Sequence, residues 1–415
     1  MDNIRFASPM KDGRPIRCTE NTRIFAKESL DGKYGREALE TMMVSLYDTD
    51  GLSPRKLYDR AITEIAEHAP LRIVTDGDGM PLELLSGAAT LGMAIRHKVP
   101  ATVDGVNPVC ESISHLTCNF DRVVREGMDS FRDRILARME DSALTELQRE
   151  VLSSQLNAWN AMKTYHSRYL ALLSERMEQA KNEKEYAHYK ALYDTLSHVP
   201  FSAAKTFREG VQSVWFTFSF IRLCGNWPGI GRMDLMLEDL YQNDLAAGII
   251  TEDEARELLA HFFIKGCEWI HLTGRGSGDA QHYQNLVLGG VDEDGIDRTG
   301  DVTRLMLEIV EDFPIADFPI AVRQKPLDRF FYPFQRIIVM AVIFLRGRHS
   351  KNVHSLFQQP LHGRTRHIIF RIVAEHGDDR AVRRFLILPI RAVKSVCFRI
   401  EMNMFHYPPL PFVFS

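Results

Sequence analysis

Apolar positions along this chain fall mostly three and four residues apart, the spacing that lines one face of an α-helix. From Arg36 to about His68 the pattern predicts helix, with Leu39, Met42, Met43, Leu46 and Tyr47 on one stripe. Asp48-Thr-Asp-Gly51 interrupts it with turn chemistry, and Ser53-Pro54 opens the next helix. Two long helical patterns cover about Leu144–Lys181 and Glu183–His198, with charged residues between the apolar ones, and read as a surface helical hairpin or layer. Ser202 is placed to cap a helix through Phe207, Val211, Val214, Trp215, Phe218 and Ile221. That helix is apolar nearly all round, so it should be buried. Arg232–Ala247 is helical and stops at Gly248, and Thr251-Glu-Asp-Glu254 is a capping box opening a helix to about His271. Asp301–Asp312 is a further helix. Leu71–Thr75, Leu286–Val291 and Phe318–Arg323 are strand candidates, and residues 1–35, mixed in charge with Gly and Pro, read as an irregular lead-in. Many helices with isolated strands between them predict a helix-rich α/β protein with crossover connections.

Composition changes the picture at one place. The chain has 415 residues, 45% hydrophobic and 26% charged, with net charge −4, an ordinary globular composition. From Gln324 onward, however, 15 Lys and Arg face five acids, whereas the first 323 residues carry 36 bases against 50 acids. Beyond that point capping signals vanish, and Phe330-Phe-Tyr-Pro-Phe334 and Tyr407–Ser415 fit neither helical nor strand periodicity. Such disagreement between local and global preference is foreign to a selected fold. No stretch approaches the ~20 apolar residues a bilayer span needs, and the N-terminus lacks a signal-peptide core. A cytoplasmic protein without a membrane partner is expected, and the acidic balance makes nucleic acid an unexpected partner.

Six cysteines, Cys18, Cys110, Cys118, Cys224, Cys267 and Cys397, form no C-x-x-C pair or zinc spacing, and read as reduced thiols. Asp292-x-Asp294-Gly295-x-Asp297 suggests a calcium loop, but Thr303 stands where an EF-hand needs its bidentate glutamate, so a solvated acidic turn is the reading. Gly274-x-Gly276-x-Gly278 lacks dinucleotide-binding spacing. His349, His354, His362 and His367 do not share a helical face, and no metal is expected. Arg232 and Asp234 read by themselves as a surface ion pair or a helix-start charge.

Taken in order, several strings between about 85 and 323 resemble the glycyl radical enzymes, the family of pyruvate formate-lyase and the radical diol dehydratases. They are Phe207-Arg-Glu-Gly-Val-Gln-Ser-Val-Trp215; Gly231-Arg-Met-Asp234 with Leu240-Tyr241, Asp244-Leu245, Gly248, Ile250-Thr251 and Glu254-Ala255; Phe263-Ile-Lys265; Gln284-Asn-Leu-Val-Leu-Gly-Gly-Val-Asp292 with Gly295, Asp297 and Thr299; and Pro319-x-x-Val-Arg323. The resemblance implies a barrel of parallel strands with helices outside. It also implies radical chemistry, in which a radical-SAM activase places a radical on a backbone glycine and a cysteine relays it to a small organic substrate. Radical lyase, dehydratase or formate acetyltransferase activity would follow.

The sequence also departs from the family. The family's cysteine lies beyond the strand ending at Arg323, in a Gly-Cys-x-Glu setting. The one later cysteine here is Cys397, in Ser395-Val-Cys-Phe-Arg399. The C-terminal Arg-Val-Ser-Gly-Tyr segment is absent, so no catalytic residue is assigned. Where diol-dehydratase-like members carry Gly-His-Ser, this chain has Gly225-Asn226-Trp227, which argues against a diol. Asn226, Trp227, Gln281, His282 and Arg323 are the expected cavity-lining positions, with Arg323 suited to a carboxylate. The expectation is therefore a partial glycyl-radical-enzyme barrel with outer helices: a helical lead-in over 1–84, the family-like region over 85–323, and a divergent basic tail over 324–415, read as a shifted-frame or otherwise unrelated segment rather than a native domain, with a genuine but divergent C-terminal domain as the alternative. It would be truncated and inactive as written, hold no bound cofactor, and be compatible with a homo-oligomer. The competing expectation is a non-catalytic relative acting as a binding or assembly partner.

Overall fold

The computed structural model describes residues 17–30, 32–34, 44–45, 51–88, 95–96, 117–224, 228–267, 286–291, 294, 296–313, 320–323, 367–372 and 384–389. In chain order the elements are α1 (Glu20–Leu30), β1 (Val44–Ser45), α2 (Pro54–His68), β2 (Ile95–Arg96), α3 (Phe120–Glu126), α4 (Met128–Met139), α5 (Glu146–Glu178) and α6 (Glu183–His198). They continue with α7 (Phe207–Leu223), α8 (Met233–Ala246), α9 (Glu252–Gly266), β3 (Leu286–Gly289), α10 (Asp301–Asp312), β4 (Ile320–Arg323), β5 (His367–Ile372) and β6 (Arg384–Pro389).

Helix α7 is apolar on every side because it stands between two cores. Phe207, Val211, Val214, Trp215 and Phe218 join a core built with α1, α3, α8, α9, β3 and α10. Phe216, Phe220 and Leu223 join a second core with α2, α5 and α6. The predicted helical layer is α5 and α6. Its inward face carries Tyr165, Tyr169, Leu173, Tyr189, Leu192 and Leu196, while polar residues take the other face.

Four local readings are corrected. The helix expected from Ser202 begins instead at Phe207, because the Thr206 hydroxyl accepts from Glu209 N at 3.2 Å and the Asp244 carboxylate takes Phe207 N–H at 2.7 Å. Residues 20–30, inside the supposed irregular lead-in, form α1; Thr22, Phe25, Ala26 and Ser29 are buried at helical spacing. Leu71–Thr75 is not a strand: Asp76 Oδ1 accepts Asp78 N at 2.9 Å and Met80 N at 2.8 Å, folding a tight turn closed by a single Thr75–Pro81 bridge. Within the stretch expected to be helical from Arg36, Val44–Ser45 instead pairs in parallel with Ile95–Arg96. A long-range ladder there overrides the local period.

β3 and β4 pair in parallel, Leu286 with Ile320 through Gly289 with Arg323, and α10 makes the crossover between them. Single parallel bridges extend this array on the other side, Gly231 to Leu286 and Gly229 to Thr117. Four chain segments thus run side by side in one direction. The chain divides into two units, Met1–Gly347 and Arg348–Ser415. In the second, β5 and β6 pair antiparallel, His367 with Pro389 through Ile372 with Arg384. Among the described residues no helix is long and apolar enough to cross a membrane.

Candidate functional site

The parallel array has a built C-terminal end. The segment Gly229–Gly231 pairs with β3 as far as the hydrogen bond from Val287 N to Gly231 O, 2.9 Å. There the chain leaves the array and enters α8. Gly231 turns at φ +79°, and a Cβ on it would meet Thr117 Cγ2 at 2.8 Å, so glycine is required on both counts. N–H groups two residues apart on a strand point the same way. The next donor on that side of β3 is Gly289, beyond the reach of any carbonyl of the departing segment. The Asp234 carboxylate replaces the missing carbonyl: its Oδ2 accepts Gly289 N at 2.7 Å. The same oxygen accepts the Thr303 hydroxyl at 3.0 Å, and Oδ1 accepts Arg232 Nε at 3.1 Å. Asp234 is 1% exposed. The expectation of a surface ion pair is therefore corrected: this is a buried carboxylate with three donors.

One turn along α8, Glu238 accepts Asp301 N at 3.1 Å and Val302 N at 2.9 Å. It caps α10 in place of Gly300, which has no side chain for that purpose. A Cβ on Gly300 would lie 2.3 Å from Glu238 Oε2. After β3, Gly289 and Gly290 both take positive φ, +64° and +89°. The chain then folds into a hairpin through Val291–Asp297 and Arg298 N to Gly290 O at 2.8 Å. This is the acidic turn predicted from sequence, and Asp297 Oδ1 serves it by accepting Thr299 N at 3.0 Å.

Of the predicted site residues, Arg323 ends β4, its backbone in register with Gly289. Asn226, Trp227, Gln281 and His282 lie outside the described residues, as does Cys397. Sequence reasoning missed a second polar cluster, in the core. Lys265 and Glu83 form an ion pair of 3.1 Å, with 0% and 1% side-chain exposure. The Trp215 ring lies 5.4 Å from the ammonium. His261, one turn before Lys265 on α9, accepts Leu84 N–H at Nδ1, 3.2 Å, which leaves Nε2–H to donate to Thr22 Oγ1 at 2.9 Å. Thr22 in turn donates to Glu257. Burial, then the Lys265 charge, hold the His261 imidazole well below its ordinary pKa. Gln212 exchanges two hydrogen bonds with the Ser86 backbone, 2.7 and 2.9 Å, and Trp215 Nε1 donates to Gly87 O at 2.9 Å. Together these groups fasten residues 82–88 and α1 onto α7 and α9.

Among the described residues no group of three or more His, Cys, Asp or Glu is placed to hold a metal ion. Burial raises the thiol pKa of Cys18, Cys118 and Cys224, so none of the three is poised as a thiolate. A cavity of about 600 Å³ opens between α2, α4, α5 and α7, lined among the described residues by Ile62, Phe131, Ile135, Trp159, Phe220 and others.

Residues 93–326 match the family described as Pyruvate formate lyase-like. The chain is 27% identical over 231 residues to isethionate sulfite-lyase of Desulfovibrio desulfuricans, a match covering 52% of this chain and 28% of that enzyme. It is 26% identical over 205 residues to (2S)-3-sulfopropanediol dehydratase of Klebsiella oxytoca, covering 47% and 25%. Its fold is similar to that of the glycerol-bound B12-independent glycerol dehydratase from Clostridium butyricum, with TM-score 0.60 and 18% identity, covering 80% of this chain and 50% of that one. The matched part thus spans about a quarter of these curated relatives and half of the solved structure.

Proposed function

The chain belongs to the pyruvate formate lyase-like family of glycyl radical enzymes, and on that premise we propose that residues 93–326 supply the substrate-holding part of a radical lyase or dehydratase for a small organic acid. The observation that supports this reading is the end of the parallel array, where Asp234 and the glycine turn fix β3 and the backbone of Arg323, on the adjacent β4, lies in register with Gly289. We read the array as part of the family's strand barrel, with Arg323 pairing the acid group of the substrate through its planar fork of donors. Two relatives carry names of sulfonate chemistry, isethionate and sulfopropanediol, which favours an oxyacid over a neutral diol. Asn226, Trp227, Gln281 and His282 are the further lining positions in this reading, Trp227 as an apolar wall.

In the family the bond-breaking chemistry comes from a glycyl radical installed by a radical-SAM activase. The strings that would carry it, Gly-Cys-x-Glu and Arg-Val-Ser-Gly-Tyr, do not occur after Arg323. What these residues supply is binding, orientation and exclusion of water from the acid's reactive end. Calorimetric titration of the full chain with isethionate tests the reading. Binding that Arg323→Ala abolishes is expected; no binding by the unmodified chain, or equal binding by the variant, overturns it. Electron paramagnetic resonance after activase treatment should show no doublet radical signal.

A further inference from the structure

We propose that Asp234 is a positioning residue, a side-chain substitute for a strand carbonyl that sets the end of β3 and, through the β3–β4 ladder, the backbone that presents Arg323. The proposal rests on the reading of Arg323 as the substrate's acid contact. The geometry that supports it is local and complete. The departing segment can satisfy Val287 N–H but not Gly289 N–H. An unmet donor there would let the last residues of β3 fray, because a buried amide pays its full desolvation cost when unpaired. Asp234 meets that donor at 2.7 Å with an ionised oxygen, a shorter and stronger bond than a neutral carbonyl makes. Its second oxygen is fixed by Arg232 at 3.1 Å, so the carboxylate cannot rotate away. Thr303 joins the start of α10 to the same oxygen at 3.0 Å. The start of the crossover helix and the end of β3 are therefore joined at one carboxylate, and β4 is linked to it through the ladder. Gly289 is the register partner of Arg323, so a shift at one is passed directly to the other.

Asp234→Asn keeps the volume and removes one acceptor. The amide can serve Gly289 and Thr303 or it can face Arg232, but with its oxygen toward Gly289 its NH2 opposes the Arg232 Nε–H. Adding Arg232→Gln removes that opposition by offering the introduced NH2 an acceptor. Thr303→Val, which deletes one donor without changing size, is the milder second variant.

Amide hydrogen exchange on the full chain, with isethionate titration alongside, decides the matter. In the Asp234→Asn variant, exchange over 286–291 and over 320–323 should rise about 10- to 100-fold, with α5 unchanged. Isethionate affinity should fall about tenfold, and the added Arg232→Gln should restore both. Thr303→Val should give a smaller rise over the same two segments. Faster exchange at 286–291 with 320–323 unchanged overturns the proposal, as does failure of the double variant to recover, or acceleration spread equally over α5. If the unmodified chain does not bind isethionate, the reading of Arg323 falls and the exchange results still decide the role of Asp234.

Discussion

Replacing Lys265 with methionine would remove the ammonium from beside the buried Glu83 carboxylate. The pair is 3.1 Å apart at 0% and 1% exposure, and the Trp215 ring covers the ammonium at 5.4 Å. Neither charge can fall back on water. Methionine preserves most of the lysine stem's packing, so the loss is electrostatic rather than a cavity. Removing one partner of a buried pair costs about 3–5 kcal/mol, because the remaining charge keeps its desolvation penalty and loses its compensation. With a denaturant slope of about 3 kcal/mol per molar urea, the midpoint should fall by about 1–2 M. Urea unfolding followed by far-ultraviolet circular dichroism reads this directly, since α7 and α9 both pack on the site. The double variant Glu83→Gln, Lys265→Met leaves no charge behind and should recover most of the loss. A single variant within about 1 kcal/mol of the unmodified protein, or a double variant no better than the single, would refute the reasoning.

Three further outcomes are expected. Gly127 sits at φ +77° with its missing Cβ only 2.3 Å from Phe201 O and 2.6 Å from Ser202 C; because those atoms are backbone, Gly127→Ala should cost about 3 kcal/mol or more in thermal unfolding. His166 donates through Nε2 to Leu196 O at 2.7 Å, and burial brings its pKa from 6.5 down to about 4. The folded state therefore binds fewer protons than the unfolded chain between those values. Its contribution is whole above pH 6.5 and drains away as pH falls toward 4, by up to about 3 kcal/mol; urea midpoints across that window should show the slope, and His166→Gln should flatten it. Glu238→Ala uncaps α10 from a distance and should lower stability by about 1–2 kcal/mol, read as faster amide exchange at Asp301 and Val302.

The helices could be read from sequence wherever their ends carried chemistry. Thr251 and Glu254 form the expected capping box of α9, and α10 occupies Asp301–Asp312 as its period required. At the start of α7 local reading failed. The start of α7 depends on Asp244, 37 residues on, which the local sequence around Ser202 does not reveal. The core cluster was illegible for the same reason. His261 and Leu84 N meet across 177 residues of sequence, and no spacing rule reaches that far. The strings that carried the family resemblance are the intermediate case. Gly231, Asp234 and Gly289 are each tied to one junction, by a missing Cβ, a positive φ or a shared carboxylate. No one of them names a fold, but their order along the chain is the order in which the Gly231 turn, α8 and β3 reach that junction. Four of its described donors are met within residues 231–303: Gly289 N and the Thr303 hydroxyl by Asp234, and the first two amides of α10 by Glu238. Both partners of each of these bonds lie before Arg323, within the residues that match the family.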